Sequence, residues 1–175
     1  KHRSDYEYIV SEFEELGYNT KEFNLNASDY GTKQARERVF ILGKRKEIGK
    51  IRQCGIVYDF KRSKEIEGLE IIAWSQSTRE NWVDHRIRDD GLCNTLVTGR
   101  GFAGQSTKNY VLENKIIRDL TCEEGEELMT WPKGWTEFAI IDGDIRVVPK
   151  TARETCVGNG VVSNCLWAIA PYIQV

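Results

Sequence analysis

The chain has few of the residues from which metal centres and disulfide frameworks are built. Its 175 residues include two histidines and five cysteines, and no two cysteines form a CxxC pair. This spacing argues against a structural zinc site, which needs clustered thiolate and imidazole ligands. An odd cysteine count without a signal-peptide pattern indicates a reducing, intracellular compartment. We therefore expect the cytoplasm for a bacterial or phage protein and the nucleus for a eukaryotic one.

Long apolar runs and a global excess of positive charge are also absent. No apolar stretch approaches the roughly 20 residues that span a bilayer. The formal net charge is −2, so any surface for nucleic acid has to be local. One window is locally basic, because its cations outnumber Glu37 and Glu47: Lys33, Arg36, Arg38, Lys44, Arg45, Lys46, Lys50 and Arg52. The first residue is Lys1 rather than Met, which indicates a fragment or a processed chain.

The most distinctive block of the chain is LNASDYGTKQARERVFILGKR, residues 25–45. Arg36 and Arg38 are two positions apart on an extended chain, so their guanidinium groups should point to one side, with Gln34 in line. Such groups suit phosphate, carboxylate or a nucleobase edge. From spacing alone, pairing with acidic neighbours is the more common use of arginines near a strand end.

Periodicity and capping signals predict the secondary structure. In the first half we expect a helix over residues 5–16, capped by Ser4 and Glu7. Strands over 18–25 and 38–43 should pair antiparallel about a turn at 26–33, and the second strand should be buried. We then expect a strand over 56–60, irregular structure with short strands over 61–90, and a strand over 92–97. In the second half we expect a hairpin in which residues 110–112 pair with 116–117, and then a helix from the Thr121–Glu124 capping box to about Met129. A second hairpin should span residues 140–148. Two helices should follow, one from Pro149 to near Cys156 that Gly158 stops, and one over 161–170 that Pro171 ends.

Two glycine-rich segments admit more than one interpretation. Residues 98–104 lack the phosphate-binding glycine patterns, so they form either a flexible loop or an exposed loop whose Arg100 and Phe102 reach base edges in a DNA groove. Residues 158–160 form either a helix C-cap and turn or a place where backbone N–H groups receive an anion.

Large apolar residues and cysteines fit ordinary packing roles. Trp131 and Trp135 are expected to pack around Pro132, and the cysteines to be small buried residues.

Three ordered blocks resemble the DNA cytosine-5 methyltransferases. Residues 26–43 resemble the family's QxRxR block, in which Asn-Ala-x-Asp-Tyr/Phe-Gly-x-x-Gln-x-Arg-x-Arg precedes an apolar strand. Residues 118–135 resemble its Arg-x-Leu-Thr block, and residues 155–173 resemble its Gly-Asn-x-Val block and terminal helix. Thr95-Leu96 resembles a Thr-Leu element between them. The departures are Met129-Thr130-Trp131 where Gln-Gly-Phe is usual, and Gly160 where Ser or Ala is more common.

The resemblance implies an α/β fold, namely the C-terminal part of a class I S-adenosylmethionine-dependent (Rossmann-like) methyltransferase sheet plus a small mixed target recognition domain. Residues 1–48 would end the catalytic domain, 49–117 would form the recognition domain, and 118–175 would return to the catalytic domain. The family's Pro-Cys, Glu-Asn-Val and Phe-x-Gly-x-Gly blocks are missing. The resemblance therefore implies the C-terminal half of an enzyme, inactive alone, whose nucleophilic cysteine lies on a partner polypeptide or a missing half.

The resemblance also implies a role for individual residues. Arg38, supported by Arg36 and Gln34, would hold a flipped cytosine or the nearby DNA backbone. Contacts to double-stranded DNA and to S-adenosylmethionine would come from two further sets: Thr95, Thr98, Gly99, Arg100, Gly101 and Phe102 for DNA, and Asn159, Gly160 and Val161 for the cofactor. No metal or membrane is implied.

Two other functions and one physical consequence remain open at this point. The chain could be a catalytically silent DNA-binding or regulatory remnant, or part of a tRNA cytosine-5 methyltransferase. A half-sheet would expose apolar surface at residues 38–43 and 161–170, which predicts association with another polypeptide.

Overall fold

The structure is a computed structural model that describes residues 3–53, 70–79 and 82–173. It is a mixed α/β chain with three small antiparallel sheets, ordered β1-β2, β4-β3-β5-β6 and β7-β8. Its helices and strands are α1 (Arg3–Glu15), β1 (Tyr18–Asn26), β2 (Glu37–Arg45), β3 (Glu70–Arg79), β4 (Trp82–Ile87), β5 (Thr107–Glu113), β6 (Ile116–Asp119), α2 (Cys122–Leu128), β7 (Phe138–Ile141), β8 (Asp144–Val147), α3 (Lys150–Asn159) and α4 (Ser163–Ile169). The predicted strand over 56–60 lies outside the described residues.

The first helix and the first two strands confirm the predicted order. Gly17, with φ +84°, follows α1 and turns the chain into β1, which pairs with β2 along its full length. The Ser4 capping box is wrong, because α1 already includes Ser4. The prediction that β2 is buried is also wrong: its side chains are exposed or half-buried, since no described element covers its outer face.

The middle of the chain is more regular than predicted at one place and less regular at another. Strands β3 and β4 pair over the stretch where irregular structure with short strands is predicted, so strands are present there but are longer and more regular than expected. Residues 92–97 form no strand and make a single parallel bridge, between Gln34 and Cys93. The β5–β6 hairpin is confirmed.

The C-terminal third confirms the predicted elements but shifts their ends. The Thr121–Glu124 capping box is present at α2, and β7 and β8 form the predicted hairpin. Helix α3 runs to Asn159, so Gly158 does not stop it. Helix α4 ends at Ile169, and Pro171 lies within a 3-10 turn, Ala170–Tyr172, that continues directly from it.

One hydrophobic core draws on all three predicted segments of the chain. Leu25, Leu96 and Leu128 belong to the same buried cluster, together with Phe102 and Val157. The four-stranded sheet therefore packs into the same core as the segments on either side of it, through Ile71 and Val111. None of the helices among the described residues has the length and apolar character that crossing a bilayer requires.

The expected exposed apolar surface is present on β2 and α4. Val39 is 54% exposed, and Leu166 and Trp167 are 49% and 53% exposed. Trp135 is 67% exposed, so its expected packing around Pro132 is wrong. Of the described cysteines, three are buried as predicted and Cys156 is exposed.

Candidate functional site

A pocket of about 210 Å³ brings together five of the residues singled out from the sequence. Arg36 and Arg38 line one side, next to the start of β2. Residues 159–161 line the other side, where α3 ends and the chain turns into α4. The remaining lining residues are Val39, Phe40, Val162 and Cys165. Sites for drug-sized ligands have volumes of roughly 300–1,000 Å³, so this pocket is large enough for part of such a ligand.

Gln34 is fully buried and connects three segments of backbone. Its Nε2 donates to the carbonyl of Leu128, 3.0 Å away, at the end of α2. Its Oε1 accepts from the N–H of Leu96 at 3.1 Å. Carbonyls at the end of a helix have no partner within the helix, so Gln34 satisfies one of them and fixes Leu96 at the same time.

Arg36 is also buried, and its guanidinium is hydrogen-bonded to backbone carbonyls. Nη1 donates to the carbonyl of Leu96 at 2.8 Å. Nη2 donates to the carbonyls of Gly158 and Gly160, at 3.2 and 2.8 Å, where α3 ends. A cation suits this position because helix C-termini carry partial negative charge. Burial, with a smaller contribution from Arg38, lowers the pKa of Arg36 to about 10, so it remains charged at neutral pH.

Arg38 differs from Arg36 in being exposed. Its Nη1 donates to the carbonyl of Glu37 at 2.7 Å, and the guanidinium faces the pocket. Arg38 can therefore contact a ligand, while Arg36 holds the wall in place. The ordinary alternative, pairing with acidic neighbours, does not describe Arg36, whose partners are carbonyls.

The segment of residues 93–97 crosses between the pocket wall and the four-stranded sheet. Thr95 Oγ1 donates to the carbonyl of Ala35 at 2.8 Å. Asn94 donates through Nδ2 to the carbonyl of Trp74 in β3, and its N–H donates to Oδ1 of Asn109 in β5. Because side chains satisfy much of this backbone, the segment needs no strand ladder, which explains why the predicted strand is missing.

The indole ring of Trp131 lies against Gly160 and leaves little space for a side chain at position 160. A Cβ at Gly160 would lie 2.6 Å from Cζ2 of Trp131 and closer still to Cη2. Gly160 has φ −73°, which any residue can adopt, so the indole ring rather than the backbone requires glycine. Trp131 Nε1 in turn donates to the carbonyl of Val161 at 3.1 Å. Two of the departures from the family pattern are therefore in contact in the pocket wall.

The loop of residues 98–104 is anchored rather than flexible. Phe102 is fully buried, and a Cβ at Gly125 would lie 2.6 Å from its ring. The expectation that Phe102 is exposed is wrong, and a buried ring cannot reach a base edge. Gly101 is buried too, and its N–H donates to the buried carboxylate of Glu154 at 3.0 Å.

The exposed part of this loop is confined to a few positions. Thr98 is exposed, and Thr95 and Gly99 are half-buried. The side chain of Arg100 is 90% exposed, with Asp119 at 3.9 Å. Among the residues named for DNA contact, Thr98 and Arg100 are the two with open access to a ligand.

Sequence reasoning missed two buried carboxylates that hold this region together. Glu154 anchors the loop to α3. Glu126 is fully buried and accepts hydrogen bonds from Gly134, Thr136 and Arg153. Burial alone would raise the pKa of Glu126, but the hydrogen bonds from Thr136 and Arg153 outweigh it and lower the pKa. Their signal in the sequence is indirect: each is an acidic residue at a position of a predicted helix where an apolar residue would be expected.

The three buried cysteines among the described residues are not activated nucleophiles. A reactive cysteine needs a lowered pKa, whereas burial raises the pKa of Cys93 to about 12 and that of Cys165, in the pocket, to about 11. Burial also raises the pKa of Cys122. Cys54 lies outside the described residues. Within those residues no cluster of side chains is suited to a metal ion.

Comparison with known proteins gives this geometry a family context. Residues 1–83 match the family model of C-5 cytosine-specific DNA methylases. The matched part contains α1, β1, β2 and the Gln34–Arg38 block, and it ends before the loop of residues 98–104 and the 158–160 turn.

Two characterised relatives share short segments with the chain. One is Type II methyltransferase M.FnuDI of Fusobacterium nucleatum, 58% identical over 40 residues, which is 23% of this chain and 12% of that protein. Another is Type II methyltransferase M.MthTI of Methanothermobacter thermautotrophicus, 43% identical over 47 residues, 27% of this chain and 14% of that protein. The matches thus span about one-eighth to one-seventh of each relative's length.

Proposed function

We propose that this chain is one part of a DNA cytosine-5 methyltransferase. It supplies double-stranded DNA recognition and one side of the flipped-cytosine and S-adenosylmethionine sites. The nucleophilic cysteine comes from a partner polypeptide or a missing half. The observation that carries the proposal is that Arg38 of the QxRxR block and Asn159 of the GNxV block line the same pocket, although 121 positions separate them in the sequence.

The chemistry of the pocket suits this assignment. Arg38 is exposed and charged, so it can donate hydrogen bonds to the carbonyl edge of a flipped base or to a phosphate. Asn159 is exposed and offers both an amide donor and an acceptor, while Val161 adds apolar surface. S-adenosylmethionine, when bound, supplies the methyl group. The residues present fit one edge of it, in keeping with the pocket's small volume.

Arg36 and Gln34 act in this proposal as positioning residues. Both are buried and committed to backbone partners, so they hold the turn at 158–160 and the segment near Leu96 around the pocket. Arg100 and Thr98 are the candidates for DNA contact, with Thr95 and Gly99 behind them. The buried Gly101 and Phe102 shape the loop from inside.

The proposed partner follows from what the described residues leave uncovered. Val39 of β2, which lines the pocket, and Leu166 and Trp167 of α4 are exposed. We propose that the remaining strands of a class I methyltransferase sheet cover this surface. The raised pKa values of Cys93 and Cys165 agree with a nucleophile located elsewhere.

The test is a methyl-transfer assay with labelled S-adenosylmethionine. The chain is assayed alone and together with a polypeptide that carries the Pro-Cys and Glu-Asn-Val blocks, on duplex DNA and on tRNA. We expect transfer to duplex DNA only when both polypeptides are present. Activity of the chain alone would refute the split enzyme, and activity on tRNA instead of DNA would refute the substrate.

A point variant separates the enzyme from a silent DNA-binding remnant. Arg38→Ala should reduce methyl transfer by the assembled complex by about 10²-fold or more, on the scale of removing one well-placed polar contact. Lys44→Ala, at a half-buried position near the far end of β2 and outside the pocket lining, is the matched control. Unchanged methylation by Arg38→Ala would favour the remnant.

A further inference from the structure

The β7–β8 hairpin presents an apolar face that no described element covers. The hairpin is closed by Asp142 and Gly143, whose φ angles of 55° and 88° suit a tight two-residue turn. Its two strands pair with each other and do not pack extensively on any other described element. An isolated two-stranded hairpin is marginally stable in water, so covering one of its faces would stabilise it.

The pairing register places four large apolar side chains on one face. Phe138 pairs with Val147, and Ile140 pairs with Ile145. Alternate residues of a strand share a face, and directly paired residues share it too. These four side chains therefore form one surface, which carries no charge.

The opposite face has a different character. Ala139 pairs with Arg146, and Ile141 pairs with Asp144. Arg146 and Asp144 lie 3.9 Å apart and are well exposed, so this face is suited to water. The hairpin is thus amphipathic: Ala139 on the polar face is half-buried, whereas all four residues of the apolar face are exposed.

The apolar face, defined as Phe138, Ile140, Ile145 and Val147, is large enough to support an interface between two copies. These residues are 56%, 76%, 75% and 71% exposed. An aromatic side chain buries about 150–250 Å² and the smaller Ile and Val bury less, so these four residues leave on the order of 400 Å² in water. Two such faces packed together would bury about 800 Å² at most, which is small for a stable dimer and fits a weak, concentration-dependent one.

We propose that this face is the interface of a homodimer in which the hairpins of two chains pack face to face. A two-fold arrangement brings the same residues of both copies together, and an uncharged face can do this without opposing like charges. The charged residues Arg146 and Asp144 stay in solvent on the outside.

The location separates this interface from the one proposed for the catalytic partner. The hairpin precedes the N-terminus of α3, and the pocket lies at its C-terminus. A ten-residue helix is about 15 Å long, so both surfaces can be occupied at once. The homodimer consequently does not depend on the methyltransferase assignment.

The test measures the oligomeric state by sedimentation velocity over a range of concentrations. We expect a concentration-dependent dimer that Ile140→Lys and Ile145→Lys each weaken at least tenfold. Ile141→Lys introduces the same charge on the opposite face and should leave the dimer intact. Trp167→Lys, on the surface beside the pocket, should also leave it intact.

Three outcomes would overturn the proposal: a monomer at all concentrations, a dimer unaffected by Ile140→Lys and Ile145→Lys, or a dimer lost in Trp167→Lys instead.

Hydrogen exchange on the unsubstituted chain provides a second measurement that does not rely on variants. Amide protection over residues 138–147 should rise with protein concentration. Protection independent of concentration would contradict the dimer.

Discussion

The contact between Trp131 and Gly160 makes a compensation experiment possible. Gly160→Ala places a methyl group against the indole ring, while Trp131→Phe removes the part of the ring that it would meet. The backbone at Gly160 accepts alanine, because its φ is −73°. The new methyl group would also lie 3.1 Å from the carbonyl O of Cys156, so the part of the destabilisation that Trp131→Phe relieves is the part that reports the clash with the ring.

The sizes of the effects follow from the structure. Overpacking by one methyl group in a close-packed wall costs about 1–3 kcal/mol. Trp131→Phe loses the hydrogen bond to the Val161 carbonyl, about 1 kcal/mol, and about 1 kcal/mol more for the space left behind. In the double variant the new methyl group occupies that space, so we expect a favourable coupling of about 1–2 kcal/mol between the two substitutions.

Urea unfolding followed by far-UV circular dichroism measures this coupling across the wild type, both single variants and the double variant. Gly43→Ala is the control, because a Cβ there meets only ordinary contacts at 3.4 Å or more, and it should be neutral or slightly stabilising. Additive effects of the two substitutions, or a Gly160→Ala variant as stable as the wild type, would refute the proposed packing.

Three further predictions concern the buried polar residues. Arg36→Lys should lower the free energy of unfolding by about 2–4 kcal/mol in urea, because the single nitrogen of lysine cannot occupy both positions from which Nη1 and Nη2 reach the three carbonyls; an unchanged midpoint would contradict the role of Arg36. Glu154→Leu should speed amide exchange over residues 99–103, whereas Glu154→Gln, which keeps an acceptor for Gly101, should not; equal exchange in both would contradict the anchor. The pKa of Glu126 is lowered from 4.5, so its contribution to stability is present above pH 4.5 and is lost as the pH falls through the lower folded value. Glu126→Gln should therefore flatten the acid side of a pH–stability curve, and an unchanged slope would contradict this.

Much of the local structure could be predicted from the sequence because its signals are local. The Thr121–Glu124 capping box, the Asp142–Gly143 turn and the alternation in β1 each act within a few residues of the chain. Arg36, Arg38 and residues 159–161 also line one pocket. They could be singled out from the sequence because the family resemblance identifies them without any knowledge of the packing.

The remaining features depend on partners distant in sequence. Nothing near Gly158 indicates that the backbone of residues 97–98 packs against it, which is why the glycine was mistaken for a helix stop. Similarly, Phe102 looks like a loop residue until Gly125 provides space for its ring. The different roles of Arg36 and Arg38, one buried and one exposed, follow from which of them meets the end of α3, and spacing cannot distinguish them.

The central claim is that this chain holds the base while another polypeptide attacks it. In the family chemistry that the resemblance implies, a thiolate bonds to C6 of cytosine and leaves when the C5 proton is removed. Duplex DNA containing 5-fluorocytosine has no such proton after methyl transfer, so the adduct persists. In the assembled complex with S-adenosylmethionine, we predict a denaturation-resistant DNA adduct on the partner polypeptide. An adduct on a cysteine of this chain would contradict the claim.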